Sequence, residues 1–340
     1  LIPYTLNVKV LATAPGKATL FGEHSVVYGR PAIAMAINRR VTVELTSRKD
    51  DKAVLHFPDV SVKGFTLTFK GEAITAKTNK ANASQAAGYV VEAIRTVAKR
   101  LGDYRGVNVT VKSEMPVGAG LGTSAAVAIA TAAAYSELLG KRFDGPALSR
   151  IGREVELRVQ KVSSGMDSSV IALGGLVEFQ LKGSDLVAHP LHFKEEMPMV
   201  LGYCPRISTT AQSVARVAQL RDRNIHVIEK VFDSIEQVVL EAKKKIVGGE
   251  TASLGELMNI NQGLLSALGV STLKIEEMVY AARKAGASGA KLTGAGMGGS
   301  VLCLVNSSTL TKPVALALST VGAESFVFEP DYSGVRVQHV

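Results

Sequence analysis

The stretch Pro116-Val117-Gly118-Ala119-Gly120-Leu121-Gly122-Thr123-Ser124-Ala125-Ala126 has the make-up of an anion-binding corner. It follows an alternating run, Val107 to Lys112, whose period predicts a strand, and it leads into an alanine-rich segment that predicts a helix from Thr123. Gly118, Gly120 and Gly122 let the backbone turn tightly with its N–H groups inward, and the start of the helix adds the positive end of its dipole. Phosphate is the anion such a corner suits. A glycine-rich turn that only connects a strand to a helix would share the G-x-G-x-G pattern, so the motif alone leaves both readings open, and its context favours phosphate.

The common nucleotide signatures do not account for it. No G-x-x-x-x-G-K-[ST] occurs, and the set of glycine-rich loop, H-R-D and D-F-G is missing. Gly294-Ala295-Gly296-Met297-Gly298-Gly299 matches G-x-G-x-x-G, but a dinucleotide fingerprint opens a helix, whereas this one leads into the strand-like Ser300-Val301-Leu302-Cys303-Leu304-Val305. The chain therefore carries two glycine loops, one before a helix and one between strands.

Pro15-Gly16-Lys17 through Gly22-Glu23-His24-Ser25-Val26-Val27-Tyr28-Gly29, the Pro116 to Ala126 loop and Lys291-Leu292-Thr293-Gly294-Ala295-Gly296 stand in this order along nearly the whole chain. Together they resemble the three motifs of the GHMP kinase superfamily. Ser25-Val26-Val27-Tyr28 after Gly22-Glu23-His24, and the segment Asn261-Gln262-Gly263-Leu264-Leu265-Ser266-Ala267-Leu268-Gly269-Val270-Ser271, are similar to its mevalonate kinase branch. The resemblance implies ATP and mevalonate as substrates, Mg2+ as the metal and a homodimer. It implies an α+β, two-domain GHMP kinase fold, with an N-terminal domain like ribosomal protein S5 domain 2 and a ferredoxin-like C-terminal domain. Rival readings are another acceptor in the same superfamily, such as phosphomevalonate or a sugar, and a silent relative that only binds ligand.

A kinase of this kind must deprotonate a hydroxyl, neutralise phosphates and hold donor and acceptor in line. By resemblance Asp167, in Ser163-Ser164-Gly165-Met166-Asp167, is the general base, and Lys17 is the cation that lowers the pKa of the acceptor hydroxyl. Taken locally, Asp167 could instead complement a helix dipole, and Lys17 could equally be a solvated strand lysine. Pro116, Gly118, Ala119, Gly120, Leu121, Gly122, Thr123 and Ser124 are the expected nucleotide-binding residues. Ser124 and Glu156 match the family's metal ligands, few oxygens from protein being what Mg2+ asks for.

Glu154 and Glu156 lie on one expected helix, Ala147 to Lys161, and at about 100° per residue they point roughly 200° apart, so only one can face the site. The family's spacing of eleven residues to the aspartate selects Glu156. Glu23, His24, Thr210 and Gly296 are the expected acceptor-side residues, with His24 donating to a substrate oxygen; a structural histidine in a buried turn is the competing reading. Four positions depart from the family pattern: Ala211 where many relatives carry Lys, Thr123 for Ser, Met297 for Gly, and Ser163 for Pro.

The elements that must position these residues are a β-rich first half and a mixed second half. Strands are expected over Val8 to Ala14, Val41 to Ser47, Phe65 to Phe69, Val107 to Lys112 and Leu176 to Leu181. A helix is expected over Gln85 to Leu101, capped by Asn82 or Ser84 after a loop from Lys77. Lys182-Gly183-Ser184-Asp185 is the expected boundary between domains 1–183 and 184–340. After it come a strand from Met199, four helices, and a strand, glycine loop, strand, helix and strand, an α+β layer order.

The chain has 340 residues, enough for two cores, and 46% hydrophobic composition. No apolar run has the length of a membrane span, and Leu1 to Val8 lack the pattern of an export signal, so no membrane association is expected. Cys204 and Cys303 have no paired spacing and are expected to be reduced core residues, which implies the cytoplasm. The net charge of +9 is spread along the chain, with no basic run interleaved with aromatics and no Trp. That pattern argues against a nucleic-acid partner, so none is expected, and favours weak steering of small anions.

Overall fold

The computed structural model describes residues 8–58, 66–70, 73–77, 81–116, 118–161, 163–182, 185–193, 196–250 and 253–340. Two long strands, β1 (Lys9–Phe21) and β2 (Ala32–Ser47), pair antiparallel and organise the first sheet. β2 continues into β6 (Val107–Ser113), which is joined in parallel to β3 (Ala53–His56) and onward to β4 (Thr66–Lys70) and β5 (Ala73–Lys77). Val41, Val43 and Leu45 are buried while Thr42, Glu44 and Thr46 are half-buried, the period-two pattern of a strand with one covered face.

The first part of β2 is covered on both faces. Ile33, Met35 and Ile37 enter the main core, and Ala32, Ala34 and Ala36 pack with Val26, Val170 and Phe179 in a separate cluster. Helices α2 (Thr123–Leu138) and α4 (Met166–Leu173) lie on this sheet, and α1 (Ala81–Leu101) and α3 (Gly145–Gln160) pack against them. α2 is buried nearly all round; its alanines let the sheet and the other three helices approach closely, as a central core helix requires.

The second sheet runs β10 (Gly289–Thr293), β11 (Gly299–Leu304), β9 (Met199–Cys204), β12 (Glu324–Phe328), all antiparallel. α5 (Thr210–Arg223), α6 (Ile225–Gly248), α7 (Leu254–Ala267), α8 (Leu273–Lys284) and α9 (Thr311–Thr320) complete this half, its core built on Phe232, Ile235, Met278, Val301 and Cys303. Both cysteines are free and buried. Thr293 joins the sheets: its hydroxyl accepts from Thr19 N at 2.9 Å and donates to Thr19 O at 3.0 Å. Among the described residues no helix is long and apolar enough to cross a membrane.

Three expectations change. The strand expected to stop at Ala14 runs to Phe21, because β1 absorbs Pro15-Gly16 in a register shift, and β13 (Arg336–His339) covers only Val10 to Thr13, so the missing proline N–H costs no ladder bond on that side. The first helix begins at Ala81, so Asn82 and Ser84 lie within it and are not its N-cap, while residues 78–80 are outside the described set. Of the boundary expected at Lys182 to Asp185, residues 183–184 lie outside the described set, but the strands on either side, β7 (Leu176–Lys182) and β8 (Asp185–Leu191), pair in the first sheet, and the chain passes to the second sheet only between β8 and β9.

Candidate active site

The phosphate-type loop is built as its glycines demand. Gly118, Gly120 and Gly122 all have positive φ, and Gly122 is the residue from which α2 starts, with no side-chain cap and no acid in its first turn. The N–H groups at that end and the helix dipole are thus left to an anion. Two neighbours pin the loop: Lys17 N donates to Leu121 O at 2.8 Å, and Ser300 Oγ donates to Ala119 O at 2.8 Å. Pro116 accepts from Ala119 N at 3.3 Å; Val117 is outside the described residues. Thr123 turns its hydroxyl toward the Met115 sulfur at 3.9 Å, and Ser124 is half-buried beside it.

Lys17 and Asp167 meet next to this loop. Lys17 is 4% exposed, projects from β1, and holds Nζ 3.0 Å from Asp167 Oδ1 in the first turn of α4. Gly122 makes room: a Cβ there would stand 2.9 Å from Lys17 Cγ and 3.5 Å from Asp167 Oδ2. Glu156 lies on the buried face of α3, its Oε2 accepting from Ser163 Oγ at 2.6 Å and Ser168 Oγ at 2.9 Å. Burial, reinforced by the nearby Asp167 carboxylate, pushes its carboxyl up to about 7. Glu154 points outward and pairs with Arg100 and Arg158, each at 2.7 Å, so the helix separates the two glutamates as its geometry requires. Ser163, where the family has Pro, supplies one of the two hydroxyls on Glu156.

The acceptor-side residues divide. Glu23 is buried with both oxygens engaged inside the protein: Lys291 Nζ donates to one, and Asn261 Nδ2 donates to the other at 3.1 Å. This network ties the first motif to the third and to α7, a bracing role that the residue types alone did not disclose. His24, at φ 64°, places Nε2 3.1 Å from Ala295 O; since a carbonyl only accepts, Nε2 carries the hydrogen and Nδ1 is an acceptor. Burial, well ahead of repulsion from Arg206, pulls its pKa down to about 4. The expected donation from His24 to a substrate oxygen therefore does not fit this tautomer, in which the ring nitrogen left over accepts.

The third loop closes over the second. Ala119, Gly120, Thr293, Ala295, Gly296 and Arg206 line one cleft. At Gly296, φ 68°, a Cβ would meet Val270 O at 2.4 Å, so the loop fits only glycine there. Met297 also takes positive φ, 58°, and is held by Met297 N to Val270 O at 2.8 Å and Ile207 N to Met297 O at 2.9 Å, so the loop keeps its turn without the family's glycine.

Sequence reasoning passed over Arg206. Its Nη1 donates to Thr210 Oγ1 at 3.1 Å and Nη2 reaches Gly296 O at 3.4 Å, its Nε has no hydrogen-bond partner, and it makes no ion pair among the described residues. The available signal was a cation just before the Thr209-Thr210 segment. Thr209 itself is spent as the N-cap of α5, in a capping box with Gln212. A cation without an acid in a cleft shared with a phosphate-type loop can hold a second anionic group.

Comparison with known proteins identifies the family and the fold. The GHMP kinases N terminal domain matches residues 88–175 and the GHMP kinases C terminal domain matches residues 242–324. Mevalonate kinase of Thermococcus gammatolerans is 41% identical, over 98% of this chain and 99% of its own length. The crystal structure of the Methanococcus jannaschii mevalonate kinase superposes with a TM-score of 0.80 at 28% identity, covering 94% of this chain and 98% of that one. That of L. major mevalonate kinase in complex with R-mevalonate has a TM-score of 0.81 at 22% identity, covering 95% and 96%, and bears on the fold alone. The three ordered motifs, the two-sheet architecture and these relatives agree: the chain belongs to the GHMP kinase family, in its mevalonate kinase branch.

Proposed function

We propose that this chain transfers the γ-phosphoryl group of ATP to the 5-hydroxyl of (R)-mevalonate, giving 5-phosphomevalonate and ADP. The observation that carries the reading is the Lys17–Asp167 pair, held 3.0 Å apart against the open N-terminal end of α2; the names of the relatives supply the acceptor. Asp167 takes the proton of the hydroxyl as its oxygen bonds to the γ-phosphorus and the bond to the β,γ-bridging oxygen breaks. Lys17 stabilises the charge that moves between those oxygens. The N–H groups of the 118–124 segment bind the ATP phosphates, and Arg206 takes the acceptor's carboxylate.

Ser124 and Glu156 would hold Mg2+. The fit rests on the donor set: Glu156 is a buried carboxylate pushed up by burial and by Asp167, a situation a divalent cation relieves. Among the described residues no group of three or more His, Cys, Asp or Glu gathers, in keeping with an ion that takes few protein ligands and leaves the rest to phosphate and water. When bound, Mg2+ neutralises charge on the β- and γ-phosphates. Two buried free cysteines support a cytoplasmic location, and the family resemblance supports a homodimer.

A coupled ADP-release assay over a panel of acceptors tests the reading. Mevalonate should turn over far faster than phosphomevalonate, galactose or homoserine, since a site that pairs particular polar groups rejects analogues lacking them by roughly 10⁴. Equal rates with phosphomevalonate or a sugar would leave the kinase class standing and remove the substrate.

A further inference from the structure

Glu156 spends only one of its two carboxylate oxygens inside the protein. Ser163 Oγ and Ser168 Oγ both donate to Oε2, at 2.6 and 2.9 Å, while Oε1 has no hydrogen-bond partner among the described residues, although the residue is only 8% exposed. A buried carboxylate with one oxygen doubly held and the other bare is costly unless something else binds it. Two helices build this lopsided arrangement. A Cβ at Gly152, one turn before Glu156 on α3, would stand 3.0 Å from Ser168 Cβ, so the missing side chain lets α3 and α4 approach closely enough for Ser168 to reach across. Ser163 comes from the connection between the same two helices.

An ionised carboxylate only accepts, so both serines give their protons to Oε2 and fill its two lone-pair directions. Ser163 Oγ in turn accepts from Gly165 N at 3.0 Å, at the N-terminal end of α4, which holds that hydroxyl in place independently of Glu156. A cation approaching Glu156 therefore finds free lone pairs on Oε1 alone. One oxygen per carboxylate suits the tight octahedral shell of Mg2+ or Mn2+, whereas Ca2+, with six to eight ligands, gains from taking both.

We propose that Ser163 and Ser168 are positioning residues that make Glu156 a one-oxygen metal ligand through Oε1 and so favour Mg2+-sized cations over Ca2+; this rests on the reading of Glu156 as a metal ligand. Mn2+ binding to the protein–ADP complex, followed by electron paramagnetic resonance alone and in competition with Ca2+, tests this without turnover. Ser163→Ala should weaken Mn2+ binding by about tenfold, the low end of the effect of losing a group that orients a ligand. Ca2+ should lose less, because Oε2 is freed for it, so the preference for Mn2+ should fall by about threefold or more. Ser163→Thr keeps the hydroxyl and should stay within twofold of the parent chain. Ser168→Ala should act in the same direction as Ser163→Ala; if it fails to fold, being fully buried, Ser163→Ala at its half-buried position decides alone. General damage to the site would weaken both cations equally. An unchanged preference, or Mn2+ affinity within twofold of the parent in Ser163→Ala, therefore overturns the proposal. Glu156→Gln separates the two readings: if it leaves Mn2+ binding intact, the metal assignment itself fails, whereas loss there with none in Ser163→Ala removes only the role of the serines.

Discussion

Lys17 and Asp167 come from sequence positions 150 residues apart and meet with Nζ 3.0 Å from Oδ1, beside a glycine that leaves no room for a methyl group. Asp167→Asn keeps the size of the side chain but removes the proton acceptor and the negative partner of a buried lysine. Turnover should fall by on the order of 10² to 10⁴, with ATP binding nearly intact. Stability should fall by about 1–3 kcal/mol, less than for a fully buried pair because the aspartate side chain is 29% exposed and water screens part of the loss. Steady-state kinetics beside urea melts give both numbers; turnover within threefold of the parent would make Asp167 a structural residue.

Glu156 and Glu154 offer a matched comparison on one helix. Glu156→Gln should raise the Mg2+ concentration needed for half-maximal rate, and Glu154→Gln should leave it unchanged, since Glu154 is engaged with Arg100 and Arg158 at the surface. A magnesium titration of the two variants checks the contrast, and equal effects would refute the assignment.

His24 makes stability depend on acid. Its folded pKa, about 4, is below the ordinary value of 6.5, so the unfolded chain binds its proton first as pH falls. The contribution is complete above about pH 6.5 and is lost progressively as pH falls toward 4. Chemical denaturation across that window should show the loss, and His24→Gln should flatten it. An unchanged slope in the variant would mean that another group carries the dependence.

Local chemistry made part of this site legible. The Pro116 to Ser124 corner could be read because strand, glycines and helix are consecutive, and the opposed faces of Glu154 and Glu156 follow from helix geometry alone. The Lys17–Asp167 pairing was accessible only through family resemblance, since no periodicity links β1 to α4. Glu23 looked like a substrate contact because its partners, Asn261 and Lys291, lie in α7 and β10 respectively, far along the chain. Pro15-Gly16 looked like a strand stop because a bulge depends on the neighbouring strand. Arg206 was missed because an arginine at a strand end is unremarkable until the absence of an acidic partner is seen in space.

Arg206 supplies the sharpest test of how the acceptor is held. It stands between the third loop and Thr210, without an ion-pair partner among the described residues, in the cleft that Gly120 and Gly296 share. Burial alone already disfavours its charge, so a carboxylate arriving in that cleft would gain a charge-assisted hydrogen bond that water does not match. Arg206→Gln keeps a polar amide but shortens the side chain and loses the charge, and should raise the KM for mevalonate by roughly ten- to a hundredfold, the 1.5–3 kcal/mol of a hydrogen bond to a charged group. Arg206→Lys should recover part of this, because a point charge replaces the fork. The KM for ATP should stay within about twofold, since the loop at Gly118 to Gly122 and the end of α2 hold the nucleotide without it. Mevalonate lactone, which lacks the carboxylate, should bind both forms of the protein equally in competition assays. A change in the ATP KM with none for mevalonate would place Arg206 on the phosphates and leave the acceptor carboxylate without its cation.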